Sequence, residues 1–432
     1  MDDKVIKKNI KLSFLMKPVS MLLALAYMPV ALSFLGTERY GVWTIVLDVL
    51  AWIAYFDIGI GNGLRNKLAE AYSLREDEQC KNYVSTAYVV AAAISLLFCI
   101  IFLLIWNCFD FTSKFNLDVG GYETDIAVAI SVVFVAVNFV LGLIGTILFA
   151  IQQNGYLSVI NVIQQGLQLL VIWLLSVFSE ANLIYIAVSY GIVNSMVYVA
   201  GTMILFKKNK ILLLDIRCVK KQYVRPLLSL GIGFFIMQIS SMVLNTTDNL
   251  LISRLFDKSD VTNYSILYKC FYVFVQIHAI IIMPMWSAYT AASAKKNTEW
   301  IKQTMKKINN ITIVLSVMVL FAVFLFKPFV HILFRNELTY KNELIVFVAV
   351  YMIAQMFANN YSSFLCGVGE IRVSVLLAFI GAIVNIPLSV LLAERFGWEL
   401  CGIIGGSLFV MLLNCIVLPI VTGNWFRKRR SV

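Results

Sequence analysis

Twelve apolar stretches, each long enough to cross the roughly 30 Å hydrocarbon layer of a bilayer, follow one another along this chain with short polar connectors between them. A backbone in hydrocarbon has no water to bond to, so it must satisfy its own N–H and C=O groups, and runs of this length do so as α-helices. The stretches are Leu12–Leu35, Tyr40–Gly63, Tyr83–Trp106, Asp125–Ala150, Leu157–Phe178, Leu183–Phe206, Leu227–Phe256, Val261–Tyr289, Ile311–Phe334, Leu344–Cys366, Val373–Glu394 and Leu400–Thr422. Composition agrees. Charged residues make up 14% of the chain and the mean hydropathy is +0.85, whereas a soluble domain is about 25% charged. The expected class is an all-α, multi-pass integral membrane protein. The first stretch, preceded by Lys4, Lys7, Lys8 and Lys11, has the look of a signal peptide but is too long, and too many spans follow it.

A net charge of +11 raises the question of nucleic acid, but the basic residues sit in short runs between spans, as cytoplasmic loops do. Alternate connectors, with the N-terminal side first, carry 25 Lys and Arg on one side and 7 on the other; Lys17, Lys269 and Lys327 fall inside apolar runs. Both termini are therefore expected in the cytoplasm, and no nucleic-acid partner is expected. The eight cysteines form no CxxC pair, His278 and His331 are far apart, and there is no phosphate-binding glycine loop. No catalytic residues, metal site or bound cofactor are expected.

The halves echo one another. Phe149–Tyr156 and Phe364–Ile371 both end one span and turn into the next, 215 residues apart; Leu183 and Leu400 open the following spans, 217 apart; and the turn at Gly36 matches that at Asp257, 221 apart. Six spans per half make this a parallel repeat. The expected organisation is a six-helix lobe over 1–208, a basic connector over 209–226 and a second six-helix lobe over 227–432.

Charges and amides inside spans need a reason. Lys17 shares a helical face with Ser13, Ser20, Met21 and Ala24, and either snorkels to the interface or faces an internal cavity. Asp57, Gly61 and Arg65, spaced by four, share a face, so Arg65 either pairs with Asp57 or meets an anion at the cytoplasmic mouth. Asp48 points away from Asp57. Gln238, Asn245 and Asn249 form a stripe with Asp248 to one side. Lys269, on a face with Tyr272 and Gln276, lies too deep for easy snorkelling and calls for a cavity or a carboxylate such as Asp248. His278 faces away and reads as a packed histidine. Asn161, Gln164, Gln165 and Gln168 cover one face of their span, where amides either hold helices together or bind sugar hydroxyls.

The turn Gly36-Thr37-Glu38-Arg39-Tyr40-Gly41-Val42-Trp43, followed by a span ending Asp57-Ile58-Gly59-Ile60-Gly61-Asn62-Gly63, resembles the bacterial O-antigen and capsule-unit flippases of the multidrug/oligosaccharidyl-lipid/polysaccharide exporter superfamily. Asp248-Asn249-Leu250-Leu251-Ile252-Ser253 and Asn263-Tyr264-Ser265-Ile266-Leu267-Tyr268-Lys269 extend the resemblance. It implies two six-helix lobes related by a parallel pseudo-two-fold, V-shaped around a central cavity, that move an undecaprenyl-pyrophosphate-linked oligosaccharide across the inner membrane by alternating access. Pyrophosphate contacts would fall to Lys17, Arg65 and Lys269. Glycan contacts would fall to Asn161, Gln165, Gln168, Asn245, Asn249, Tyr272 and Gln276, with Asp57 and Asp248 as coupling or ion-pair groups. Coupling to a proton or sodium gradient, contact with membrane lipids, and a polysaccharide polymerase with its chain-length machinery as partners are further implications. Two of the three cations are lysines, point charges rather than bidentate forks. A cation-coupled multidrug antiporter of the same superfamily is the alternative. A peptidoglycan-precursor flippase, usually longer by two helices and richer in arginine, fits less well, as does a polymerase or ligase with its large periplasmic loop.

The charge partition predicts that alkaline phosphatase fused after Val432 gives no periplasmic activity while fusion near Asn116 gives a strong signal; the opposite pattern overturns the orientation.

Overall fold

Every expected span that lies within the described residues is helical. The computed structural model describes residues 3–54, 59–106, 122–256, 258–334 and 340–430, and among these eleven segments are long and apolar enough to cross a membrane. The remaining expected span, Tyr40–Gly63, and the turn at Asp257 fall partly or wholly outside them. In chain order the helices are Asp3–Ala54 (α1), Ile60–Leu74 (α2), Asp77–Trp106 (α3), Tyr122–Leu141 (α4), Leu143–Ala150 (α5), Asn154–Phe178 (α6), Leu183–Lys208 (α7), Lys221–Leu255 (α8), Lys258–Ala294 (α9), Thr298–Phe334 (α10), Asn342–Val368 (α11), Arg372–Val390 (α12) and Leu400–Arg430 (α13). Two 3-10 turns fill Lys210–Leu212 and Ile216–Cys218, and a π-helical turn extends α12 over Leu391–Arg395.

Glycine decides where α1 and the following segment break. At Gly36 φ is 72° and ψ is 170°, a backbone conformation open essentially to glycine alone, so α1 is two helices joined across that residue. Side chains from both sides of the break, Phe34 and Leu35 with Val42, Trp43 and Val46, are buried in one apolar cluster. Gly59 is left-handed, with φ 70°, and starts α2.

This corrects one expectation. Gly61 and Gly63 do not close a span that runs from Tyr40; they belong to a separate helix, and the segment after Gly63 is helical rather than a loop. Of the expected face of Asp57, Gly61 and Arg65, the last two lie on α2 and Asp57 lies outside the described residues. The cause of the separate helix is packing. Ile60, Leu64 and Leu68, at helical spacing, are fully buried, and α2 lies so close to α8 that a Cβ on Gly59 would meet the Gly231 carbonyl oxygen at 1.9 Å and one on Gly63 the Leu227 carbonyl oxygen at 2.3 Å. Small residues four apart permit such backbone approach between helices.

The chain forms two compact units, residues 1–232 and 233–432. The connector after α7 is tied to the first: the Asp215 N–H donates to Ser85 Oγ at 3.1 Å, Lys220 pairs with Glu78 at 3.1 Å, and Asn82 donates to the Tyr223 hydroxyl at 3.1 Å. The expected basic loop is thus pinned along α3, and α8 begins at Lys221 rather than Leu227. Helix starts repeat between the units: α3 and α10 begin 221 residues apart (77 and 298), α4 and α11 220 apart (122 and 342), α6 and α12 218 apart (154 and 372), and α7 and α13 217 apart (183 and 400). Within each unit the neighbours correspond, α4 packing on α7 as α11 does on α13, and α6 on α7 as α12 does on α13.

Gly63→Ala should lower the thermal midpoint of the detergent-solubilised protein in fluorescence-detected gel filtration, because the new methyl meets backbone that can only shift, at about 1–3 kcal/mol. Gly423→Ala, with nothing within 4 Å of its Cβ, should leave the midpoint at or above wild type. Equal midpoints for Gly63→Ala and wild type would refute the close contact.

Candidate functional site

A carboxylate in an apolar span must be neutralised, coordinated or richly hydrogen-bonded. Asp248, on α8 in the second unit, is 5% exposed. Its Oδ2 accepts from the Tyr264 hydroxyl of α9 at 2.6 Å and its Oδ1 from Ser407 Oγ of α13 at 3.1 Å. Ser407 in turn accepts from Asn385 Nδ2 of α12 at 2.8 Å, and Asn385 Oδ1 accepts from Thr247 at 3.3 Å. Four helices thus converge on one buried carboxylate, with no cation among the described residues paired to it. Of the two alternatives for Lys269, a cavity or the Asp248 carboxylate, the pair with Asp248 does not form; two hydroxyls occupy the carboxylate instead. Hydropathy marks none of these partners as a ligand of Asp248: Tyr264 enters the sequence reading only as part of the motif before Lys269, and Asn385 and Ser407 each interrupt an otherwise apolar run.

Lys269 has an exposed side chain 11 residues, about 17 Å of helical rise, from the start of α9. Gln276 is exposed on the same face, and Tyr272 is half-buried. The Tyr272 ring stacks on Tyr268 at 5.6 Å between centroids, and Tyr268 packs against Tyr264 at 6.0 Å and Tyr351 at 6.3 Å. A ladder of tyrosines therefore links the neighbourhood of Lys269 to that of Asp248. Farther along α9, His278 is 1% exposed and its Nε2 lies 2.9 Å from Asn360 Oδ1 and 3.1 Å from Thr312 Oγ1, a packed histidine as expected. Asp57 lies outside the described residues, as do the side chains of Asp48, Asn245 and Asn249.

In the first unit Lys17 is exposed, one turn from Ser13, which is buried by Asn154 Nδ2 at 3.3 Å and Ser158 Oγ at 2.9 Å and so fastens α1 to α6. Arg65 is 7% exposed, and its guanidinium lies 4.6 Å over the Phe149 ring, where it helps pack α2 on α5. The amide face of α6 divides. Gln164 and Gln168 both donate to Asn194 Oδ1 of α7, Gln168 at 2.6 Å, which is the helix-joining role. Asn161 is exposed, and Gln165 carries a buried Oε1 with no hydrogen-bond partner among the described residues. Lys17 and Asn161 in the first unit and Lys269 and Gln276 in the second thus have exposed side chains, with Gln165 and Tyr272 half-buried beside them.

Residues 6–290, well over half of the chain, match the family described as polysaccharide biosynthesis protein. The chain belongs to that family. Residues 234–391 also match the MatE family. This polysaccharide biosynthesis family member is 22% identical over 422 residues to a protein of Yersinia pseudotuberculosis named for O-antigen export, covering 94% of this chain and 91% of that one. It is 22% identical over 427 residues to a protein of Salmonella typhimurium named as an O-antigen transporter, covering 96% and 93%. In fold it is similar to a MATE transporter solved in the straight conformation, with a TM-score of 0.82, 15% identity and 99% and 97% coverage. A transporter of the multidrug/oligosaccharidyl-lipid/polysaccharide superfamily from Pyrococcus furiosus aligns with a TM-score of 0.75 at 16% identity, covering 99% and 96%. Among the described residues the family member is all-helical, with eleven segments long and apolar enough to cross a membrane, and it shares the fold of those transporters.

Proposed function

We propose that this protein is a flippase that moves undecaprenyl-pyrophosphate-linked oligosaccharide units, destined for O-antigen or capsule, from the cytoplasmic to the periplasmic leaflet of the bacterial inner membrane by alternating access, with both termini cytoplasmic. The observation that carries this reading is similarity along nearly the whole chain to proteins named for O-antigen export and transport, in a chain of the polysaccharide biosynthesis family. Lys269 supports it. An unpaired ammonium inside a span costs about 3 kcal/mol on insertion scales, and a pyrophosphate is the anion that such a carrier would bring to it. Each unit offers such a set by itself: Lys269 with Tyr272 and Gln276 in the second, and Lys17 with Asn161 and Gln165 in the first, a cation for phosphate and polar groups for sugar hydroxyls. Arg65 would have to leave the Phe149 ring to take part.

Asp248 is the proposed coupling group. Buried, hydrogen-bonded by two hydroxyls and without a cationic partner among the described residues, it is placed to take up a proton or sodium ion and release it in another state. The multidrug antiporter reading keeps one specific support, the MatE match over residues 234–391. Working partners of the flippase would be the polymerase and chain-length machinery that consume its product.

In cells lacking the chromosomal gene, Lys269→Ala should reach the membrane in normal amount yet fail to restore surface polysaccharide, while Lys269→Arg restores most of it. Full restoration by Lys269→Ala, or reduced insertion rescued by Asp248→Asn, would remove Lys269 from the substrate site.

A further inference from the structure

The repeat allows one crevice to be compared in the two units. In the first unit Arg39, in the turn after Gly36, pairs with Glu123 at 3.3 Å, and the other oxygen of Glu123 accepts the N–H of Leu183. One ion pair thereby stitches together the turn, the start of α4 and the start of α7. In the second unit, Asp260 stands 221 residues after Arg39, Glu343 stands 220 after Glu123, and Leu400 stands 217 after Leu183, the same offsets that separate the helix starts. A carboxylate has replaced the arginine, so the stitch cannot form. At that place lies a cavity of about 840 Å³, lined by Asp260, Glu343, Asn263, Tyr340, Phe347 and Trp398. That volume falls in the range of about 300–1,000 Å³ typical of small-molecule sites.

The lining has a definite chemistry. Lys341, the cation at the rim, is engaged by Glu399, whose hydrogen bond holds its ammonium protonated above the ordinary lysine range. Glu343 makes no ion pair with a described residue, so the lining carries surplus negative charge. Trp398 is 46% exposed, yet its ring is braced edge-on by Phe347 at 5.9 Å, and its backbone N–H donates to the Leu392 carbonyl at 3.1 Å. A pyrophosphate would be repelled here. A neutral sugar is suited: its apolar C–H face can lie on a fixed aromatic ring while carboxylates and an amide take its hydroxyls.

We propose that this cavity at the α9, α11 and α13 starts is a glycan-binding site, separate from Lys269, that holds sugars of the transported unit on the side where the charge partition places the periplasm. The identity of the glycan rests on the flippase reading above.

The test uses full-length protein in nanodiscs and, as probe, the free oligosaccharide released by mild acid from the lipid-linked repeat unit of the source strain, carrying neither lipid nor phosphate. Saturable binding is expected. Trp398→Ala and Glu343→Gln should each weaken it by about tenfold, equivalent to about 1.4 kcal/mol, whereas Trp173→Ala, on exposed α6, should not change it. Trp398→Phe, which keeps an aromatic face, should retain most of the affinity, and if Trp398→Ala fails to fold, Glu343→Gln at the exposed rim decides alone. Absence of binding by wild type, unchanged affinity in Trp398→Ala and Glu343→Gln, or binding of spermidine instead of the oligosaccharide, lost in Glu343→Gln, would each overturn the site. Transfer of the lipid-linked unit between leaflets without oligosaccharide binding would leave the flippase reading standing and sink this inference alone. Binding at the cavity without such transfer would do the reverse.

Discussion

Hydrocarbon offers a polar group no partner of its own, and almost every feature of this protein follows from that. Backbone must close its hydrogen bonds within helices, and side chains with oxygen or nitrogen must meet one another. They do so in discrete clusters: Asn154 and Ser158 with Ser13; Gln164 and Gln168 with Asn194; Asp248 with Tyr264 and Ser407; and His278 with Asn360 and Thr312. Each joins different helices, so the few polar residues in the spans specify which helices are neighbours while the apolar majority supplies area without much preference.

Against that background the exceptions are the residues on which the proposed function rests. A lysine left exposed with no carboxylate paired to it among the described residues, beside a stacked tyrosine and an amide, has the parts of an anion and sugar contact rather than of a helix joint. A carboxylate held by two hydroxyls and no cation has the parts of a group that changes its ionic state. Both lie in the second unit, on or beside α9, linked by the tyrosines between them. A ligand at Lys269 and a proton or ion at Asp248 could thus bias the same helix, which is the physical content of coupling in a secondary transporter.

Much of the fold was legible because a membrane span announces itself by length. Eleven expected spans appear within helices, several of them longer than the apolar stretch, as where α10 begins at Thr298 rather than Ile311, and the repeat was visible in turns such as Phe149–Tyr156 and Phe364–Ile371. The glycine-rich segment was misread because the break depends on backbone conformation at Gly59 and on the close approach of Leu227 and Gly231, and neither leaves a mark in hydropathy. Charge alone leaves Lys269 a choice between a cavity and Asp248, because the neutral donors that reach the carboxylate, Tyr264 and Ser407, come from other helices, and the second of these lies 159 residues away in sequence. Conversely, the amides of α6 could not be divided between structural and available roles until the position of Asn194 was known.

The central claim is that this chain carries a lipid-linked oligosaccharide between leaflets. Its most direct test is a leaflet assay in proteoliposomes containing the purified protein and a fluorescent undecaprenyl-pyrophosphate oligosaccharide, with an impermeant lectin reporting the outer-leaflet pool. The account predicts that the inner-leaflet pool becomes accessible to lectin in vesicles with wild-type protein and much more slowly in vesicles with Lys269→Ala. Accessibility no faster than in protein-free vesicles, with transport of an organic cation instead, would contradict it.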